Sequence, residues 1–344
     1  MKPPRIHVMA AVIRRNGRIL IAKRPDSAHQ GGLWEFPGGK LDASETREAG
    51  LRRELREELG IEVTSARPLI DICYDYPDKS VRLDVWLVDD FDAEAHGAEG
   101  QPIRWVAPAE LTQFEFPLAN APIVTAARLP ELYLVTPDTP DITQLVQGLE
   151  HARSQSLSMV QLRQTGLGPS EYKDAAKQLI ERFGSDFIWI FKGSKPPTGA
   201  DGWHLTSTQL RALHQAGWCK GESFAGGLFA AGPSLLPEED AGWERPPGRE
   251  EFECWDGLLA ASCHDEREMQ MAADIGADFV TLSPVLPTSS HPGAGHLGWD
   301  RAAELVAITN LPVYLLGGLS AEDLDRAFQA GAQGIAGISG LWPD

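Results

Sequence analysis

The chain has 344 residues and a formal net charge of −18, with 42% hydrophobic and 23% charged residues. This length is typical of two globular domains, and no apolar run approaches the roughly 20 residues that a membrane-spanning helix needs. The acidic balance argues against direct binding to nucleic acid, which requires a basic surface. Four scattered cysteines without a CxxC pair indicate a reducing cytoplasm and argue against a zinc site: Cys73, Cys219, Cys254 and Cys263.

The first 130 residues mix strand and helix patterns. Asn16-Gly17 separates two apolar runs within residues 5–22, which predicts a β-hairpin. Further short strands are predicted at 33–36, 69–76, 81–88 and 103–106. A helix start is predicted at the sequence PAEL, and a last helix at 121–129 ends before Pro130. These elements predict a mixed α/β sandwich over residues 1–129.

One amphipathic helix is predicted over residues 47–59. Leu51, Leu55 and Leu59 recur every four residues and form an apolar stripe. Thr46 has the side chain of an N-cap, and Gly60 can close the helix in a left-handed conformation.

Three carboxylates of this helix, Glu54, Glu57 and Glu58, share one face because they stand at i, i+3 and i+4. Like charges at this spacing repel each other, and a divalent cation held by oxygen ligands would reverse that interaction. Pro37-Gly38-Gly39, before the helix, lets the backbone approach an ion or a phosphate. A solvated face with internal ion pairs is the alternative interpretation of a Glu-rich helix.

The same stretch resembles the Nudix family. Its motif G-x5-E-x7-R-E-U-x-E-E-x-G-U, with U aliphatic, is matched at Gly39, Glu45, Arg53, Glu54, Leu55, Glu57, Glu58, Gly60 and Ile61. The flanking stretches are similar to MutT-type members, the 8-oxo-dGTP diphosphatases, over residues 5–129: IAKRPDSAH, WEFPGGK, YPDKS, AEGQPIRWV and FPLANAPI. The resemblance implies an α/β/α sandwich that hydrolyses nucleoside diphosphate derivatives.

The resemblance also implies a metal and a catalytic set. In the family a metal-activated water attacks a phosphorus atom, and MutT-type members release pyrophosphate from a triphosphate. Mg²⁺, or Mn²⁺ in its place, would be held by the Gly38 carbonyl and the carboxylates of Glu54, Glu57, Glu58 and Glu99. The implied catalytic residues are Arg53, Glu54 and Glu57; Glu54 would be the base or the principal bridging ligand, and the sequence does not separate these roles.

The implied nucleotide-binding positions lie on both sides of the helix. They are Arg24, His29, Glu35, Phe36, Pro37, Gly38, Lys40, Asp78, Lys79 and Asn120. The amide of Asn120 offers both a donor and an acceptor, as reading of a purine edge requires. Lys79 stands where MutT-type members carry Arg, which keeps the charge and loses the planar fork. Alternatively, His29 is an ordinary loop residue, Phe36 belongs to the core and Asn120 only begins a helix.

Residues 130–344 alternate strand and helix patterns. Strand-like runs stand at 132–136, 159–163, 187–191, 203–206, 258–263, 279–285, 312–318 and 334–339. Helical patterns lie between most of them, for example at 170–183, 265–275 and 320–330. Eight such units predict a (β/α)₈ TIM barrel, with residues 217–256 mostly loop.

This half resembles thiamine phosphate synthase and the thiazole tautomerase TenI. The matching stretches are LYLVTP, VQLR, GWHL, AASCH, GADFVTLSPVLPT, PVYLLGGLS and GAQGIAGIS. The charged residues of the synthase are replaced, since Gln164, Thr165, Lys192-Gly193 and His291 stand in their positions and HLTSTQL lacks an acid. These replacements argue against synthase activity. The candidate ligand-binding residues of the barrel are Ser262, His264, Gly318 and Ser339.

Two functions compete at this point. The first is Mg²⁺-dependent hydrolysis of 8-oxo-dGTP to 8-oxo-dGMP and pyrophosphate, which cleans the nucleotide pool and prevents mutation. The second places the chain in thiamine metabolism, where the Nudix half would hydrolyse thiamine-related pyrophosphates. In either case the barrel would bind a phosphorylated ligand, act as a tautomerase through His264, or only support the hydrolase. A cytoplasmic protein with small-molecule partners is expected.

Overall fold

The computed structural model describes residues 5–139, 141–193, 199–221, 255–288, 293 and 295–342. Most of the predicted loop 217–256 lies outside these ranges, as does His291. The chain folds as two compact units, Met1–Leu129 and Pro130–Asp344. In the described ranges, no helix has the length and apolar character needed to cross a membrane.

The first unit is built on a mixed sheet of six strands. Strands β1 to β6 are Ile6–Arg15, Arg18–Lys23, Trp34–Glu35, Glu62–Asp75, Ser80–Asp92 and Ile103–Val106. Helices α1 and α2 are Arg47–Leu59 and Ala121–Arg128. The order is β3-β2-β1-β5-β4, with β6 paired to β2; β1 and β5 are parallel, and the other pairs are antiparallel.

Each face of this sheet carries its own apolar core. Leu51, Leu55 and Leu59 of α1 pack in one cluster with Met9 and Trp86. The other face packs against α2 and the preceding turns. A sheet between helical layers is the α/β/α sandwich that the sequence predicts, and that prediction is confirmed.

Two local predictions for this unit need correction. Strands β4 and β5 run well beyond 69–76 and 81–88, because their exposed polar ends continue the ladder through irregularities of register. The PAEL segment forms only a 3₁₀ turn, Pro108–Gln113. The hairpin is confirmed: Asn16 and Gly17 both have positive φ, as its two-residue turn requires.

The second unit is a closed barrel of parallel strands. Strands β7 to β14 are Leu132–Val135, Met159–Leu162, Ile188–Phe191, Gly202–Leu205, Leu258–Cys263, Phe279–Leu282, Val313–Leu316 and Gly334–Gly337. Helices α3 to α8 are Ile142–Ser154, Pro169–Phe183, Ser207–Gln215, Glu266–Asp274, Gly298–Val306 and Leu324–Gln329. The predicted barrel is confirmed; the helix expected at 320–330 is a 3₁₀ turn, Ala321–Asp323, followed by the short α8.

Aromatic side chains fill the interior of the barrel. The rings of Tyr133, Phe279 and Tyr314 lie 5.5 to 5.6 Å apart and are fully buried. His204 is buried beside them, with Nδ1 3.0 Å from the Tyr133 hydroxyl and Nε2 3.0 Å from the Ser262 hydroxyl. The interior of the barrel is therefore a packed core and not a channel.

Candidate functional site

Helix α1 begins and ends as its sequence predicts. The Thr46 hydroxyl accepts a hydrogen bond from the Ala49 N–H at 3.2 Å, which caps the first turn. Gly60 adopts a left-handed conformation with φ of 66°, and its N–H donates to the Arg56 carbonyl. Because both ends are defined, the leucine stripe faces the sheet and the Glu54–Glu58 side remains available.

The loop around Gly38 and Gly39 runs antiparallel to β1. The Ala11 N–H donates to the Pro37 carbonyl, and the Met9 N–H donates to the Gly39 carbonyl, both at 2.8 Å. Gly38 has φ of 147°, and a Cβ atom there would collide with the Met9 carbonyl oxygen. Only glycine permits this close approach.

The same loop meets the acidic face of α1. The Gly38 N–H donates to a carboxylate oxygen of Glu58 at 2.9 Å. A Cβ atom on Gly39 would collide with the Glu54 carboxylate, so the second glycine makes room for this side chain. The two glycines thus bring backbone amide and carbonyl groups beside two of the predicted ligands.

Arg53 connects the acids on this side of the unit. Its guanidinium donates to Glu54 at 2.8 Å and to Glu57 at 3.1 Å. It also makes a two-oxygen contact with Glu45 at 2.7 and 2.9 Å and donates to the Lys40 carbonyl at 3.0 Å. A guanidinium with this many acceptors has a fixed orientation, so Arg53 sets the positions of Glu54 and Glu57.

Glu58 shows how strongly the acids oppose each other. Its pKa is raised to about 8, chiefly by burial; the carboxylates of Glu35, Glu54 and Glu99 add to the rise, while the Gly38 N–H opposes it. Glu58 therefore keeps its proton near neutral pH unless a cation approaches. Such a repulsive set is the electrostatic signature expected of cation ligands.

Glu99 reaches this region through a loop fastened to the end of α1. The Glu58 carbonyl accepts hydrogen bonds from the Ala98 N–H and the Gln101 side chain, each at 2.9 Å. The Gln101 side chain in turn accepts from the Glu99 N–H at 3.0 Å. The last carbonyls of the helix thus hold a loop that is about 40 residues distant in sequence.

The chemistry of these donors suits a hard divalent cation, although their present positions do not enclose one. Across the described ranges, no group of three carboxylate, imidazole or thiol side chains lies close enough together to hold a metal ion. Two of the acids point toward Arg53 instead. Glu54, Glu57, Glu58 and Glu99 supply only oxygen ligands, which Mg²⁺ prefers, and Gly38 and Gly39 leave space beside them. The residues therefore fit the ion that the resemblance implies.

The predicted nucleotide-binding residues differ in exposure: Phe36 is buried, Arg24 and Glu35 are half-buried, and His29 is exposed. Arg24 pairs with Glu35, whose pKa is raised by burial against the opposing effect of Arg24. The Arg24 side chain also donates to the His29 carbonyl at 3.0 Å. Phe36 is buried and stacks on Phe116 at 5.4 Å.

Asn120 is 9% exposed and stands at the N-cap position directly before α2, so it does lie at a helix start, although its side chain makes no capping hydrogen bond. Lys40 and Asp78 are exposed, Pro37 is buried, and Lys79 lies 5.7 Å from the centre of the Tyr76 ring.

Sequence reasoning missed three residues that organise the site. Glu45 fixes Arg53, Gln101 fixes the Glu99 loop, and Tyr76 packs edge-on against His29 at 5.6 Å while its hydroxyl bonds to the Ala119 backbone. Glu45 lies within the Nudix motif and Tyr76 lies two residues before Asp78, so their positions in the sequence already indicate that they are near the site. Gln101 lies in the stretch AEGQPIRWV that resembles MutT-type members, but its role depends on a contact with Glu58 that only folding makes.

The candidate residues of the barrel lie at the carboxyl ends of its strands. Ser262 belongs to β11, His264 follows that strand, and Gly318 and Ser339 follow β13 and β14. The ends of parallel strands share one face of a barrel. His264 is exposed, and its Nδ1 and backbone N–H both lie 2.8 Å from the buried carboxylate of Glu268.

The loops at this face are joined by hydrogen bonds among themselves. The Gln164 amide donates to the Pro137 carbonyl at 2.7 Å and accepts from the Thr139 N–H at 2.9 Å. Asp138 accepts from the Thr165 hydroxyl at 3.0 Å and pairs with Arg163. Gln164 and Thr165 therefore link two loops of the barrel.

Comparison with known proteins agrees with both halves. Residues 8–126 match the profile of the NUDIX domain, and residues 251–341 match that of thiamine monophosphate synthase. The CTP pyrophosphohydrolase of Escherichia coli is 40% identical over 121 residues, which cover 35% of this chain and 90% of that protein. The 8-oxo-dGTP diphosphatase of Escherichia coli is 36% identical over 121 residues, 35% of this chain and 94% of that protein.

The barrel has relatives of its own. A protein of Aquifex aeolicus, provisionally named thiamine-phosphate synthase 2, is 43% identical over 82 residues, which cover 24% of this chain and 44% of that protein. The chain thus spans less than half of this relative. Together with the nearly full coverage of the two hydrolases, these matches show that the chain belongs to the Nudix hydrolase family through its N-terminal unit and carries a thiamine monophosphate synthase-type domain behind it.

Proposed function

We propose that residues 1–129 hydrolyse nucleoside triphosphates to the monophosphate and pyrophosphate, with Mg²⁺ as the metal and 8-oxo-dGTP as the preferred substrate. The observation that carries this proposal is the meeting of the Gly38-Gly39 loop with the acidic face of α1. Removal of oxidised purine nucleotides before they enter DNA would lower the mutation rate.

Different residues of this unit would bind the metal and accept the proton of the attacking water. A metal held by Gly38, Glu54, Glu57, Glu58 and Glu99 would neutralise phosphate oxygens and lower the pKa of a water molecule. Glu54 accepts the proton as the water oxygen forms its bond to phosphorus. The bridging phosphorus–oxygen bond breaks, and its electrons leave with the departing phosphate oxygen.

The surrounding side chains position the reactants. Arg53 holds Glu54 and Glu57 through hydrogen bonds at 2.8 and 3.1 Å, and Lys40 is exposed beside the loop to meet a phosphate. The amide of Asn120 offers a donor and an acceptor to the edge of a base. Phe36 belongs to the apolar core on the face of the sheet that packs against α2.

A cytosine nucleotide is the second candidate substrate. The relative that is 40% identical is named a CTP pyrophosphohydrolase, compared with 36% identity to the 8-oxo-dGTP diphosphatase of the same organism. Lys79 in place of Arg also removes a planar fork from the nucleotide-binding group. Thiamine diphosphate is the third candidate, favoured by the attached barrel domain.

A hydrolysis screen with Mg²⁺ tests the proposal. The full chain is incubated with 8-oxo-dGTP, dGTP, CTP and thiamine diphosphate, and kcat/KM is measured from pyrophosphate or phosphate release. We expect the highest value with 8-oxo-dGTP. A higher value with CTP would transfer the assignment to pyrimidine nucleotides, and preference for thiamine diphosphate would place the chain in thiamine metabolism.

For the barrel we propose binding of a phosphorylated ligand at the face that carries Ser262, His264, Gly318 and Ser339. Gly318 and Ser339 follow the strands β13 and β14, where barrels often bind phosphate. Calorimetric titration of the full chain with thiamine phosphate and thiazole phosphate tests this. Absence of heat with both ligands would favour a supporting role for the barrel.

A further inference from the structure

A buried carboxylate lies on the α1-facing side of the sheet, away from the proposed metal ligands. Asp84, in β5, is 1% exposed. Its two oxygens accept hydrogen bonds from the Arg47 guanidinium, one of them at 2.6 Å, and from the Trp86 indole N–H at 2.8 Å. His7 Nε2 lies 3.0 Å from the same carboxylate.

Two of these partners, Arg47 and His7, come from elements that position the candidate site. Arg47 is the first residue of α1, so its position sets where the helix that carries Glu54 and Glu58 begins. His7 lies in β1, and its carbonyl accepts the Leu41 N–H at 3.0 Å at the end of the glycine loop. The Asp84 carboxylate therefore contacts both the helix that carries the acids and the strand that binds the glycine loop.

The charge of Asp84 is retained despite its burial. Burial by itself raises the pKa of Asp84, but Arg47, His7 and Trp86 together lower it below the ordinary value. An ion pair with a buried carboxylate adds little net stability compared with apolar packing, because the carboxylate loses its hydration while Arg47 remains 45% exposed. The effect of this pair is geometric. The planar Arg47 guanidinium and the planar Asp84 carboxylate meet through two hydrogen bonds, which set the distance and the angle between α1 and the sheet.

We infer that Asp84 is a positioning residue of the hydrolase, which holds the start of α1 against β1 so that Glu54 and Glu58 meet Gly38 and Gly39. The inference rests on the proposed metal site and not on the identity of the nucleotide. It predicts that loss of the Asp84 charge weakens metal binding and turnover, although Asp84 itself contacts neither metal nor substrate.

Asp71, the direct cross-strand neighbour of Asp84, provides a matched control variant. Asp71 of β4 faces Asp84 in register, and it pairs with Arg82 at 2.9 and 3.0 Å. The Asp71 side chain is 35% exposed, and its hydrogen-bonded partner also lies on β5, so this pair does not connect α1 to β1. Asp71→Asn therefore removes the same charge from the same face and leaves the hydrogen bonds of Asp84 in place, since Asp71 acts on Arg47 only through its charge.

The test uses the full chain with Asp84→Asn and Asp71→Asn. Mn²⁺ binding is measured by electron paramagnetic resonance without nucleotide, and kcat and KM are measured with Mg²⁺ and the best substrate of the screen. For Asp84→Asn we expect a rise of about 10-fold in the Mn²⁺ Kd and a similar fall in kcat, with KM changed less than about 2-fold. Asp71→Asn should leave all three values within about 2-fold of wild type.

Unchanged Mn²⁺ affinity in Asp84→Asn, or an equal loss in Asp71→Asn, would overturn the inference. If Asp84→Asn does not fold, Arg47→Lys decides, because it keeps the charge and loses the planar fork. A weakened Mn²⁺ site in that variant supports the inference, and a wild-type site contradicts it. Since Mn²⁺ binding needs no nucleotide, an error in the substrate assignment would leave this result unchanged.

Discussion

The acidic face of α1 and the strand-end face of the barrel differ in how their polar and charged side chains are compensated. On α1, burial in the first place and the neighbouring carboxylates in addition raise the pKa of Glu58 to about 8. At the barrel face, Gln164 and Thr165 make hydrogen bonds with the neighbouring loop, and Arg163 pairs with Asp138. The first arrangement gains free energy when a cation arrives, whereas the second is already satisfied within the protein.

This difference bears on the metal chemistry proposed for the first unit. A phosphate-transferring site needs charges that the protein itself leaves uncompensated, because the metal and the phosphates must complete them. In the hydrolase unit Glu54 and Glu57 are paired with Arg53, and Glu58 is the buried acid whose raised pKa an arriving cation would lower. The polar side chains of the described loops at the barrel face instead make hydrogen bonds and ion pairs with one another.

The largest expected effect is at the acidic face. Glu54→Gln keeps the shape of the side chain but cannot accept a proton, so kcat should fall by about 10²–10⁴-fold with an unchanged unfolding temperature. Glu48→Gln is the matched control, since Glu48 is exposed on the same helix and pairs along it with Arg52. Equal activity of the two variants would remove Glu54 from the mechanism.

The glycine loop should give the next largest effect. Gly39→Ala places a methyl group against the Glu54 carboxylate, and a displacement of this kind can lower kcat by about 10²-fold. Gly166→Ala, in the barrel, meets no atom within 4 Å and is the control in the other half. Steady-state kinetics with Mg²⁺ measure both, and full activity of Gly39→Ala would show that Glu54 has room to move.

The barrel should respond to acid through His204. Burial, assisted by the charge of Lys192, lowers the pKa of His204 to about 3, so the folded barrel keeps it neutral while the unfolded chain binds a proton below pH 6.5. Stability is therefore full above pH 6.5 and falls as the pH drops toward 3, by about 2 kcal/mol between pH 6.5 and 5.

Hydrogen exchange of the β10 segment in the full chain, compared with His204→Gln, measures this loss. The variant should show a flatter dependence on pH. If the two chains lose protection in parallel as the solution is acidified through this range, His204 is not the titrating group.

The smallest effect concerns the loops at the barrel face. Gln164→Ala leaves the Pro137 carbonyl and the Thr139 N–H without their partner, which should lower the free energy of unfolding of the barrel by about 1 kcal/mol. Thr165→Ser keeps its hydroxyl and should be neutral. Denaturant titration measures the free energy of unfolding of both variants. If Gln164→Ala is as stable as wild type and binds thiamine phosphate better, Gln164 does not stabilise the loops and instead blocks the ligand.

Much of this architecture could be predicted because its signals are local. Helix α1 follows from a leucine stripe with a cap at Thr46 and a glycine at Gly60, and each barrel strand is a short apolar run. The ends of β4 and β5 could not be predicted in this way, since their outer residues are polar and join the sheet only through pairing with each other. The exact extent of a strand is a property of the pair.

Spacing along the chain was enough to establish the Nudix motif, the order of elements and the set of acids that share one face of α1, because these features are local. Folding was needed to reveal that Gly38 meets Glu58, that Gln101 brings the Glu99 loop to the end of α1, and that Asp84 joins Arg47 to His7. Each of these contacts joins residues at least 20 positions apart. The free energy of such contacts depends on burial and on the positions of several strands at once, and no local pattern encodes it.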